Sequence, residues 1–126
     1  MNTRDLFFED LAVRIDNWAD AATKGLTQND YDAGWVEAPD DFRKMREALC
    51  QANVSPQVIR SVMKSTLRGG AHSFPPILDR ATQLANDALV FLVDEDGELI
   101  EEALHEYFAE YLMHRDRQKR SGEATV

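Results

Sequence analysis

A chain of 126 residues, 44% apolar and 29% charged, can bury about two thirds of its unfolded surface and so needs neither a metal nor a disulfide to fold. Cys50 is the sole cysteine, which excludes an internal disulfide and points to a reducing compartment. The net charge is −9, and no apolar run approaches the roughly 18 residues of a membrane span.

The first residues, Met-Asn-Thr-Arg-Asp-Leu-Phe-Phe-Glu-Asp, lack the basic-then-apolar pattern of a secretory signal. The expected location is therefore cytoplasmic. The charge is laid out in blocks: −7 over residues 1–41, +5 over 42–70, −9 over 71–113 and +2 over 114–126. Alternating blocks of this kind set up fields that steer charged partners.

In chain order, Thr3 is the expected N-cap of a first helix, with Asp5 in its first turn. Phe7, Leu11, Ile15, Trp18 and Ala22 recur at helical spacing, Phe8, Ala12 and Ala19 widen that face, and Gly25 is the expected stop. Leu26 to Ala38 has no clear period. It reads as a connection with a short turn near Gln28 to Ala33, from which Tyr31, Trp35 and Val36 fold back on the core. Pro39, Asp40 and Asp41 start a second helix whose stripe is Phe42, Met45, Leu49 and Ala52. Asn53 suits a left-handed position after it. Ser55 followed by Pro56 restarts the chain as a helix: a capping hydroxyl, then a proline where no N–H is needed. Val58, Ile59, Val62, Met63 and Leu67 form the buried face, with Arg60, Lys64 and Arg68 opposite and Gly69-Gly70 as the end.

Ser73 to Pro76 is the expected break. A stripe from Ile77 to Leu92 predicts a long helix, interrupted by Asp94-Glu95-Asp96-Gly97, although Val90 to Val93 also fits a strand entering a hairpin with Glu98 to Ile100. Leu99, Ile100, Ala103, Leu104, Tyr107, Phe108, Tyr111 and Leu112 predict a last amphipathic helix, closed by the basic run Arg115 to Arg120. Residues 121–126 are expected to be a disordered tail. The pattern as a whole predicts an all-α, single-domain bundle of about five helices over residues 1–120, with a helical hairpin or helix-turn-helix-like unit at 41–69.

The segments Val54-Ser-Pro-Gln-Val-Ile-Arg, Leu67-Arg-Gly-Gly and Phe74-Pro-Pro-Ile-Leu, all within residues 54–78, resemble part of the lambda-type phage replication proteins that load helicase. That resemblance implies a protein–protein role at a replication fork. The aromatic and cysteine positions that usually follow are replaced near Ala81 and Ala85, and no functional residue is carried over.

Motifs for catalysis are missing from the sequence. There is no phosphate-cradling glycine loop and no Gly-x-Ser-x-Gly. Asp94, Asp96 and Gly97 suggest a calcium loop, but Leu92 and Ala103 stand where ligands are required. Glu102-Ala-Leu-His105 is one Glu-x-x-His unit where a di-iron bundle needs two. Ala109 replaces the second histidine of a zinc-protease motif. Cys50 reads as a small core residue. The expectation is therefore no enzyme, no cofactor and no metal.

Two binding readings remain. Glu98, Glu102, Glu106 and Glu110 repeat every four residues, with Asp94 and Asp96 before them. Like charges at this spacing cost a helix a few tenths of a kcal/mol per pair, so the ridge is a candidate surface for a protein partner with a basic face. An inhibitor, immunity or phage counter-defence protein fits that description. The alternative is a helix-turn-helix regulator using residues 49–69, with Gln57, Arg60, Lys64 and Arg68 toward DNA. No membrane is expected, and the oligomeric state is open, a dimer being compatible.

Overall fold

The computed structural model describes residues 2–32, 34–78, 86–87, 91–100 and 103–124. Among them the fold is all-α: α1 (Thr3–Thr27), α2 (Pro39–Gln51), α3 (Pro56–Ala71), α4 (Phe74–Leu78) and α5 (Leu104–Ala124). The chain divides into two compact units. One unit comprises residues 1–12 and 69–126, the other residues 13–68.

The first unit is built on the start of α1 and on α5. Asn2, not Thr3, caps α1: its side-chain oxygen accepts from the Asp5 N–H at 2.9 Å, and its carbonyl accepts from Leu6 N–H at 3.0 Å. The cap lies one residue early because Thr3 already has helical geometry. Phe8 and Phe108 are both fully buried, with ring centroids 5.3 Å apart, and Leu104 and Leu112 are buried on the same α5 face. The centre of the α1 stripe is therefore Phe8, Ala12, Ile15 and Ala19, one position round from Phe7, Leu11 and Trp18. Both edges of this face are apolar, so periodicity alone does not fix its middle.

Phe91 to Ile100 forms the hairpin rather than a helix end. Val93 and Leu99 make an antiparallel bridge, and Ile100 N–H donates to the Leu92 carbonyl at 2.8 Å. Gly97 N–H donates to the Asp94 carbonyl, and Gly97 takes φ +80°, the geometry of a type I turn followed by a left-handed residue. Asp94 holds this turn, its carboxylate accepting from the N–H groups of Asp96 at 2.9 Å and Glu98 at 3.0 Å. The expected helix from Ile77 to Leu92 falls largely on residues 79–85 and 88–90, outside the described residues. Leu99 and Ile100 are not in the last helix. Ala103, at φ +60°, precedes α5, and its carbonyl accepts the first bonds, from Glu106 and Tyr107. The break before α4 is confined to His72 and Ser73, because Pro75 and Pro76 sit in the first turn, where a proline forfeits no helical hydrogen bond. Residues 121–124, expected to be disordered, continue α5. The preceding Arg115 to Arg120 are mostly good helix formers, and propagation adds one hydrogen bond per residue.

The second unit holds the rest of α1 with α2 and α3 as far as Arg68. Gly25 does not end α1: it lies inside the helix, and a Cβ there would meet the Phe42 ring at 3.2 Å. Its carbonyl, in the last turn, accepts from the Arg46 guanidinium at 3.1 Å. Gly69 and Gly70 also lie within a helix, α3. The α2–α3 turn follows the expectation. Val54 N–H reaches the Leu49 carbonyl and Asn53 N–H the Cys50 carbonyl, both at 3.1 Å. Asn53 is left-handed at φ +55°, completing a Schellman motif. Ser55 then caps α3 through Val58 N–H at 3.3 Å. Trp35 sits edge-on to both Trp18 and Phe42, at 5.2 and 5.6 Å, yet both tryptophans remain substantially exposed. They form a surface aromatic cluster rather than core.

Candidate functional site

The α2–α3 hairpin carries the features that bear on binding. The basic face of α3 is answered within its own unit. Arg60 Nε lies 2.6 Å from an Asp20 carboxylate oxygen, and Lys64 Nζ lies 3.2 Å from Asp16. Asp16 and Asp20 are four residues apart on α1, and Arg60 and Lys64 are four apart on α3, so one turn of each helix matches the other in antiparallel order. The Lys64–Asp16 pair is largely withdrawn from solvent, its side chains 20% and 14% exposed. Arg68 is half-buried and Gln57 exposed. The candidate DNA-contacting residues are thus on one helix as expected, but two of them are engaged by carboxylates.

The candidate acidic ridge is not one helical row. Asp94, Asp96 and Glu98 belong to the hairpin, where Asp94 serves the turn. Glu102 lies outside the described residues. Glu106 and Glu110 are both exposed, four apart on α5. The row is interrupted because α5 starts only after the left-handed Ala103. His105 is half-buried beside Glu106, their nearest N and O atoms 3.9 Å apart.

Sequence reasoning missed a cleft of about 470 Å³ between α2 and α3. Phe42, Met45 and Leu49 line one wall, Val58, Val62 and Met63 the other, and the buried Leu26 and Ile59 its base. Among the described residues, Asp41 is the one charged residue that lines it. The signal is present in the two apolar stripes, whose helical spacing does not distinguish a covered face from an open one. No residue of α2 is buried, and Ile59 alone is buried on α3. Cys50, expected in the core, is exposed, since it lies about 100° round the helix from Leu49.

In the first unit, Glu9 accepts from the Tyr111 hydroxyl and from Arg115 Nε at 3.3 Å. The Tyr111 bond, helped by Arg115, holds the Glu9 carboxyl below its usual value, against a burial effect in the other direction. Burial, then the bond to Glu9, pushes the Tyr111 phenol up to about 12. This clamp ties α1 to α5, and both of its shifts run away from neutral pH.

No helix among the described residues is long and apolar enough to cross a membrane. Set against family models, curated proteins and solved structures, the chain finds no match.

Proposed function

We propose that this chain is a non-enzymatic interaction module that offers an acidic surface to a basic protein partner, in the manner of an inhibitor, immunity or phage counter-defence protein. The observation that carries this reading is the fate of the basic island. Arg60 and Lys64 are already met by Asp20 and Asp16, and Arg43 lies within 4 Å of both Asp40 and Glu47. At least three of the six bases in the positive block of residues 42–70 are therefore met by carboxylates of the same unit, while the chain as a whole carries −9. An acidic surface raises the encounter rate with a basic partner and repels acidic competitors. A partner at a replication fork, which the resemblance of residues 54–78 implies, falls within this class.

A DNA-binding role for residues 49–69 is the second reading, favoured by the left-handed Asn53 turn. It requires phosphates to compete with Asp16 and Asp20 for α3. Affinity capture from the native host, followed by association kinetics with the captured protein, tests the first reading. Glu106→Lys with Glu110→Lys slows association at low salt and leaves the melting temperature nearly unchanged. Kinetics indifferent to both charge reversal and salt overturn it. Salt-sensitive duplex binding lost in Arg60→Ala with Lys64→Ala would favour the regulator instead.

A further inference from the structure

We infer that the hollow beside Trp18 and Trp35, in the second unit, is a binding site for a proline-rich segment in the polyproline II conformation. This site is distinct from the acidic ridge and does not depend on the acidic-surface reading. It has a volume of about 310 Å³ and is lined by Arg14, Asn17, Trp18 and Ala21 of α1 and by Tyr31 and Trp35 of the loop that follows. The four α1 residues stand at i, i+3, i+4 and i+7, and so share one face of the helix. Trp18 is 48% and Trp35 37% exposed. Indoles left this open forgo much of the burial energy that aromatic side chains supply, and tryptophan and tyrosine are enriched where partners bind. Trp35 is nevertheless held: its ring lies nearly perpendicular to Trp18 at 5.2 Å and to Phe42 at 5.6 Å. A ring fixed before binding lowers the cost of ordering the site.

Shape and hydrogen-bonding capacity select the occupant. Two indoles at 87° make a corner rather than a flat platform. A nucleic acid stacks its bases on flat faces and needs a basic groove along its phosphates. Among the described residues Arg14 is the one base lining this hollow, and the exposed Asp30 and Asp32 flank Tyr31 in the chain. A quaternary ammonium, which aromatic rings also hold, would have to share the site with the Arg14 guanidinium. A sugar brings hydroxyl donors, and no carboxylate lines the hollow among the described residues. The lining is instead rich in donors: two indole N–H groups, the Asn17 amide, the Tyr31 hydroxyl and the Arg14 guanidinium. A polyproline II helix matches this. Three residues per turn give it ridges of proline rings, its carbonyls are free to accept, and its prolines bring no N–H. Such segments dock in aromatic-lined grooves at low entropic cost.

Trp18 and Trp35 are the two tryptophans of the chain, so intrinsic fluorescence reads the site directly. Decaproline titrated into the full chain is expected to shift the emission saturably, while a glycine–serine peptide of the same length leaves it unchanged. In calorimetry, Trp18→Ala is expected to weaken decaproline about tenfold, and Tyr31→Phe a few-fold through loss of one donor. Both variants are expected to keep a wild-type circular dichroism spectrum; should Trp18→Ala lose its fold, Trp18→Phe, which retains a ring and removes the N–H, is expected to bind a few-fold more weakly. No saturable shift with decaproline overturns the inference. So does a decaproline affinity that the glycine–serine peptide equals, or one that neither the Trp18 nor the Tyr31 variant changes. Tighter binding of choline, of a thymidine oligonucleotide or of a maltose oligomer than of decaproline assigns the hollow to that ligand class and overturns it equally.

Discussion

The two units use apolar stripes differently. In the first, Phe8, Leu104, Phe108 and Leu112 are essentially sealed from solvent. In the second, α2 and α3 carry stripes just as regular, yet only Ile59 among them is buried. An amphipathic pattern states that a face wants cover; it does not state whether the chain itself supplies that cover. Here one unit closes its face and the other leaves much of it open.

The largest expected effect comes from the closed face. Phe108→Ala should cost about 3–5 kcal/mol and lower the melting temperature by about 10 °C or more. A loss below about 1 kcal/mol in chemical denaturation would erase the contrast between the units.

The Glu9 clamp gives a smaller effect, with a pH signature. Tyr111→Phe should cost about 1 kcal/mol, a charge-assisted bond discounted because the Glu9 side chain is 40% exposed. The folded Glu9 carboxyl titrates below its ordinary 4.5. Its contribution is complete above that value and is lost as pH falls through the folded value. The folded Tyr111 phenol titrates above its ordinary 10.0, at about 12. Its contribution is complete below pH 10.0 and declines from there to about 12. Stability profiles of wild type and Tyr111→Phe should therefore converge at both extremes and differ most between them. A constant offset at every pH would sink this assignment.

Gly70→Ala should stabilise by about 0.5–1 kcal/mol, because Gly70 is helical and a Cβ there meets nothing within 4 Å. Gly25→Ala should gain less, since the Phe42 ring must move. Thermal melts that rank the two the other way would contradict the packing of α2 on α1. Of similar size is the Lys64–Asp16 pair, whose coupling in a double-mutant cycle should be about 0.5–1 kcal/mol. Zero coupling would release Lys64 for another partner.

What the sequence made legible was local. The Asn53 and Ser55 devices between α2 and α3 depend on a few adjacent residues, and the structure reproduces them. Glycines misled where tertiary contacts or helix continuation outweighed propensity: Gly25, Gly69 and Gly70 all lie inside helices. The hairpin at Phe91 to Ile100 is a short apolar run, which period cannot separate from a helix end. The charge pattern was visible, but the matching of Asp16 and Asp20 with Lys64 and Arg60 joins residues about 40 apart or more and exists only once α1 and α3 pack. The cleft was hidden for the same reason, since a stripe does not reveal how much of itself is covered.

The most direct measurement of that contrast is urea denaturation of Val62→Asp. Val62 keeps only part of the about 1.5–3 kcal/mol that full burial of a valine provides, because it is 53% exposed. The account predicts a loss of no more than about 1 kcal/mol with an unchanged m-value. A loss of about 3 kcal/mol or more would place Val62 in a closed core and contradict an open α2–α3 face.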